Sequence, residues 1–177
     1  MPDELLDVVN DLDVVTTQVM RSLVHEQGLQ HRGVHVFLFT HDGKMLIQKR
    51  SADRAASPSL LDCSVSEHVK AGESYHDAAI RGMREEMGAE GIAIKPIIKL
   101  KMNYGPNDNE ISTVYRGLVD PAEVKYDPSE IESIFYYSLD EINEMINKDK
   151  SKFCGWFVEL MNWYYGKPAK LRVMAVY

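Results

Sequence analysis

Between Gly72 and Gly88 the chain carries the punctuation of one complete amphipathic helix. Ser74 is placed to cap it, with Asp77 three residues on to close a capping box. Ala78, Ala79, Ile80, Met83 and Met87 form an apolar stripe, and Gly88 suits the left-handed position after the last turn. The stripe needs a surface to cover, and the flanking segments read as strands. Glu4–Val9 is a strand, Asn10–Asp13 a turn, and Val14 onward pairs back before a short helix over Met20–Gln27. His31–Phe39, an Asp42-Gly43 turn and Lys44–Lys49 read as a hairpin. Leu61–Ser66 reads as one short strand. Strands at Ile92–Met102, Ile111–Asp120 and Glu132–Ser138 follow, then helices over Leu139–Asn147 and Cys154–Tyr165. This mixture predicts an α/β (α+β) sandwich in a single domain over residues 1–177.

The helix also concentrates charge. Arg81 and Glu85 share a face, Glu85 and Glu86 present two carboxylates at its C-terminal end, and Glu73 enters from the preceding loop. Hard Mg²⁺ prefers a few carboxylate oxygens together with water and substrate phosphates. The plain alternative for such a run is a solvated helix face. A net charge of −7 argues against binding a nucleic-acid backbone, which needs a basic surface. Cys63 and Cys154, the two cysteines, form no C-x-x-C pair and read as reduced thiols of a cytoplasmic protein. The acidic start MPDELLDVVNDLD has no basic n-region, and no apolar run is long enough to span a membrane, so neither secretion nor membrane insertion is expected.

The segment 67–89 resembles the Nudix box, G-x5-E-x7-R-E-U-x-E-E-x-G-U with U aliphatic, at Glu73, Arg81, Met83, Glu85-Glu86 and Gly88. Two positions depart. The opening glycine falls at Glu67, and the glutamate expected after Arg81, commonly a metal ligand in the family, is Gly82. Glu67 is a candidate substitute. The resemblance implies a Nudix fold, a mixed β-sheet sandwiched between helices, and a Mg²⁺ (or Mn²⁺) cofactor.

Most of the remaining chain is similar to the isopentenyl diphosphate isomerase-like branch of that superfamily. The similarity is carried by His25 to Arg32, the segment VHVFLFTHDGKMLIQKR, Ser66-Glu67-His68, Asn109-Glu110 and Phe153-x-x-Trp156. It implies a metal site drawing on His25, His31, His68, Asp108 and Glu110. It also implies basic residues Arg21, Arg50 and Arg54 for a diphosphate, and Trp156 lining the organic end of the pocket. Taken singly, His31 fits a hydrogen-bonded sheet histidine, Arg50 and Arg54 loop charges, and Trp156 ordinary core. Ser66 stands where the isomerases use a cysteine, and serine is a far weaker acid. Cys63, three residues earlier on the expected strand, should point to the opposite face.

The function expected is Mg²⁺-dependent hydrolysis of a diphosphate linked to another group, such as a nucleoside diphosphate derivative. The metal ligands are Glu85, Glu86, Glu73, His31 and His68. The catalytic candidates are Glu86, Glu110 and Glu67, and a small-molecule diphosphate is the partner. An isopentenyl-diphosphate isomerase and a catalytically silent diphosphate-binding module are the alternatives.

Overall fold

The computed structural model describes residues 3–105 and 107–177, the side chain of Tyr104 excepted. Its strands are β1 (Leu5–Val9), β2 (Val15–Met20), β3 (His31–Phe39), β4 (Met45–Arg50), β5 (Leu61–Asp62), β6 (Val65–His68), β7 (Ile94–Gly105), β8 (Asp108–Leu118), β9 (Ile131–Tyr137) and β10 (Arg172–Val176). The helices are α1 (Arg21–Gln27), α2 (Tyr75–Met87), α3 (Leu139–Lys148) and α4 (Gly155–Tyr164).

β3 is the hub of a mixed sheet ordered β10-β7-β8-β3-β1-β2. It runs parallel to β8 along its whole length and antiparallel to β6, with Gly33 opposite His68 and His35 opposite Ser66. Strand alternation sends Val34, Val36 and Leu38 to one face, where they pack with Ala78, Ala79, Met83 and Met87 of α2. Phe37 and Phe39 go to the other face and meet Phe157, Leu160 and Met161 of α4. The sheet is therefore buried on both sides, as a strand whose run Val34–Phe39 reads VHVFLF requires.

Four expectations change. The hairpin holds only at Phe39–Met45; beyond it β4 leaves β3 to pair with β9 and β5, because β6 takes that edge of β3. The single strand over Leu61–Ser66 breaks at Cys63-Ser64, where the Asp62 carboxylate accepts the Cys63 N–H at 2.8 Å. Ile80 is 38% exposed, whereas Gly82 and Glu86 join the buried face of α2. β10, absent from the sequence reading, extends the sheet beyond β7. The α2 cap forms, with the Ser74 hydroxyl accepting the Asp77 N–H at 3.1 Å and donating to the Asp77 carboxylate at 2.7 Å. Gly88 has φ +59 as expected. Both cysteines are buried free thiols.

Candidate active site

β6 separates two groups of side chains. Val65 and Glu67 face α2, whereas Ser66 and His68 face the opposite side, toward the odd-numbered residues of β3.

On the α2 side, Arg81 is the organiser. Its Nε and Nη2 grip both oxygens of Glu73 at 2.9 and 3.0 Å, and Nη2 also donates to the His68 carbonyl at 2.8 Å. Its Nη1 reaches Glu67 at 3.1 Å and Glu85 at 3.3 Å. Ion pairing with Glu73 and Glu67 outweighs burial and holds the guanidinium firmly charged. Glu86 lies deeper, 3% exposed. Its Oε2 accepts from the Gln48 amide at 2.9 Å, and its Oε1 has no partner. Burial, and then the neighbouring charge of Glu67, push this carboxyl well above the usual range.

On the other side lies a group of imidazoles and carboxylates. His25, His31 and His68 bring one nitrogen each within 4.8 Å of one another, and His31, Asp108 and Glu110 form a second such set. His31 and Glu110 are register partners of β3 and β8, so the parallel pairing itself places them side by side. The strand β8 starts at Asp108, earlier than its hydropathy indicates, and this brings both acids into the ladder. His31 Nδ1 lies 3.0 Å from the Leu29 carbonyl, which makes it the protonated nitrogen and leaves the Nε2 lone pair facing the cluster. Burial pushes its pKa down to about 3, and that of His35 to about 4, so both are neutral at pH 7. His25 Nε2 and His68 Nε2 face each other at 3.2 Å. Glu110 is seated in the hollow of Gly33, where a Cβ would come within 1.9 Å of its Oε1, and the Ser112 hydroxyl donates to it.

His31 Nε2, Asp108 Oδ1 and Glu86 Oε1 are buried polar atoms without a hydrogen-bond partner. Among the described residues three donors converge within 4.8 Å on the imidazole side alone, where they fit a divalent cation; on the α2 side one orphaned oxygen, Glu86 Oε1, beside the charge of Glu67, marks a place for a cation. The imidazole-rich set suits a borderline metal such as Mn²⁺ or Zn²⁺, and the all-carboxylate set suits Mg²⁺ or Mn²⁺.

Two clefts serve these groups. One, a cavity of about 630 Å³, is lined by His25, His68, Asp108 and Glu110 together with Arg21, Arg50, Arg54 and Trp156. The other, about 380 Å³, is lined by Arg81, Glu85, Glu67 and Glu130. Glu4, Arg21 and Glu67 border both.

A family comparison fits this architecture: the NUDIX domain profile matches residues 29–157. The chain belongs to the Nudix family. An uncharacterized Nudix hydrolase of Streptomyces coelicolor is 40% identical over 102 residues, which cover 58% of this chain and 56% of that relative. An isopentenyl-diphosphate Delta-isomerase of Pectobacterium atrosepticum is 29% identical over 161 residues, 89% of each chain. The crystal structure of a hypothetical Nudix protein of Deinococcus radiodurans superposes with a TM-score of 0.78 at 26% identity, covering 92% of this chain and 99% of that one.

Within the Nudix frame the expected site residues take distinct places. His31 and His68 meet, joined by His25, Asp108 and Glu110. Glu86 and Glu67 adjoin across the α2–β6 contact, and Glu85 is half exposed at the helix end. Glu73 has both oxygens on Arg81 and a further bond from the Lys70 N–H at 3.0 Å, which makes it a brace of the loop. Arg50 is buried in the cavity wall, tied to the Ala56 carbonyl and to Asp62 at 3.4 Å, with its guanidinium 5.5 Å from the Trp156 ring centre. Trp156 in turn donates its indole N–H to Asp62 at 2.9 Å. Arg54 pairs with Glu130.

The expected separation of Cys63 from Ser66 is overturned. The bend at Cys63-Ser64 resets the alternation and brings Cys63 Sγ to 3.3 Å from Ser66 Oγ. The Ser66 hydroxyl also meets His35 Nδ1 at 3.0 Å. Burial holds the Cys63 thiol well above its ordinary pKa, so it is no ready acid or nucleophile. Sequence reasoning missed Gln48, Glu4 and Glu130. Gln48 had one signal, a polar residue inside the apolar run MLIQKR.

Proposed function

We propose that the protein is a divalent-metal-dependent hydrolase of a diphosphate linked to another group, such as a nucleoside diphosphate derivative. The observation that carries this reading is the Glu86 carboxylate, 3% exposed, with one oxygen held by Gln48 and the other unpaired. A buried carboxylate so arranged is costly unless a cation completes it. Glu86 and the half-exposed Glu85 hold that cation at the end of α2. The bound ion supplies charge neutralisation for the diphosphate and a more acidic water at neutral pH. Arg21, which borders both clefts and whose Nε has no hydrogen bond and only the Glu4 carboxylate 4.0 Å away, takes the phosphate groups, with Arg54 at the rim. Glu73 keeps Arg81 in place. Glu110, steadied by Ser112, is the candidate base from the imidazole side.

The test is phosphate and nucleoside monophosphate release across a panel of nucleoside diphosphate derivatives with Mg²⁺ or Mn²⁺. Glu86→Gln is expected to lower kcat/KM by about 100-fold or more, the usual cost of removing a main electrostatic contact. Turnover unchanged by that substitution removes the assignment.

The second reading, an isopentenyl-diphosphate isomerase, is favoured by the set His25, His31, His68, Asp108 and Glu110. Ser66 and the buried Cys63 weigh against it, because neither offers an acid of thiol strength in the cavity. Arg50 over the Trp156 ring weighs against it as well, since it engages the aromatic surface meant for the organic group. Solvent deuterium appearing in isopentenyl diphosphate incubated with the Mn²⁺-loaded protein would select this reading, and its absence removes it.

A further inference from the structure

The Nudix box has a glutamate directly after Arg81, and this chain has Gly82 there. A Cβ on Gly82 would sit 2.7 Å from Val65 Cγ1 and 2.8 Å from Glu67 Cγ, closer than side-chain carbons approach one another. Both blocking atoms belong to β6, and one of them is the stem of another glutamate. The space in which a side chain at position 82 would begin is already filled, from the facing strand, by Glu67.

The Glu67 carboxylate emerges beside the same ligand set. It shares Arg81 Nη1 with Glu85, at 3.1 against 3.3 Å, and it borders both clefts. Arg81 touches Glu67, Glu73 and Glu85; among the described contacts it is the only cation on the first two, Glu85 also meets Arg84 at 3.8 Å, and two of the three Arg81 nitrogens are committed to Glu73. One guanidinium therefore faces three carboxylates, with the buried Glu86 behind them. Glu86 Oε1, buried and without a hydrogen-bond partner, is an independent sign of a ligand site at this point.

We infer that Glu67 supplies from β6 the metal-binding carboxylate that the box ordinarily carries at position 82, and that Gly82 is the hollow that admits it. The inference rests on the metal-dependent reading above and extends it to a ligand outside the helix. The exchange is reciprocal: the helix gives up a side chain, and the strand gains one reaching the same place.

Mn²⁺ equivalents and their dissociation constants, read by electron paramagnetic resonance on the full chain, test it. Glu86→Gln first identifies the equivalent that belongs to the end of α2. Glu67→Gln is expected to weaken that same equivalent by about tenfold or more, to leave any other equivalent unchanged, and to cut the rise in Tm that Mn²⁺ produces. Val65→Ala/Glu67→Gly/Gly82→Glu clears both blocking atoms and returns the carboxylate to the helix; it is expected to recover the affinity lost in Glu67→Gln. Unchanged affinity in Glu67→Gln, whatever its effect on the metal-free Tm, overturns the inference and leaves Glu67 as an ion-pair partner of Arg81. If Glu86→Gln removes no Mn²⁺ equivalent, the metal-dependent reading falls and this inference with it. Should the triple variant fail to fold, Glu67→Gln decides alone.

Discussion

On one side of β6, Glu67, Glu85 and Glu86 gather from one strand and the last turn of one helix. On the other, His25, His31, His68, Asp108 and Glu110 come from α1, β3, β6 and β8. The first group is made of acids crowded around one arginine, and its burial strains against the charge it carries. The second mixes imidazoles with acids, and its donors are aligned by backbone pairing. A site built from a local motif can be rearranged by exchanging neighbours across one contact. A site built from sheet register is fixed by the fold itself.

Disabling each side alone is expected to have the largest effect. Glu86→Gln is expected to remove hydrolysis almost entirely. His68→Ala is expected to lose the metal equivalent of the imidazole side while the Glu86 equivalent persists, as Mn²⁺ counting would reveal. If both substitutions abolish the same equivalent, the two sides are one centre.

Gly33→Ala comes next. The new methyl would meet Glu110 at 1.9 Å, so the carboxylate must leave its hollow. Overpacking of this kind costs about 1–3 kcal/mol, visible as a fall in denaturation midpoint, with loss of metal from the imidazole side only. Gln48→Leu probes the opposite side. It strands the Glu86 oxygen now bonded at 2.9 Å, a loss of about 1–3 kcal/mol for a buried acceptor, and it weakens the metal that Glu86 holds. A midpoint unmoved by Gln48→Leu would deny that amide its role in positioning Glu86.

The smallest effect is in pH dependence, and the two sides have opposite signs. His31 and His35, held near 3 and 4 against an ordinary 6.5, take up protons more readily unfolded than folded. Their contribution is fully present above about pH 6.5 and is lost as pH falls toward those values. Glu86, raised above an ordinary 4.5, binds its proton more tightly when folded, so it lowers stability as pH rises beyond that point. Metal-free Glu86→Gln is therefore expected to melt a few degrees higher than wild type at pH 7.5, at roughly 2–4 °C per kcal/mol, and to lose that advantage near pH 4.5. Differential scanning calorimetry with chelator at both pH values reads the difference.

What was legible in the sequence follows the same division. Ser74, the apolar stripe and Gly88 announce α2 because capping and periodicity act within a few residues. Glu85 and Glu86 could be placed at its end for the same reason. That only Glu86 is buried depends on β4 and Gln48, which lie elsewhere in the chain. The imidazole group was reachable only through family resemblance, since nothing local to His25, His31 or Glu110 says that β3 and β8 run parallel in that register. Cys63 was misplaced because alternation was carried through a strand that bends at Ser64. β10 escaped notice because Arg172–Val176 is an edge strand, with Val173 and Val176 largely exposed and no buried stripe to mark it.

Glu67 and His68 are neighbours in the chain and serve opposite sides of a sheet. Deleting or inserting one residue ahead of them in β6 would turn both around at once, handing an acid to the imidazoles and an imidazole to the helix. Point replacements can be absorbed here one at a time, as Gly82 and Glu67 illustrate, whereas a change in length cannot. In descendants of this chain, residues 65–68 should vary in letter and never in number.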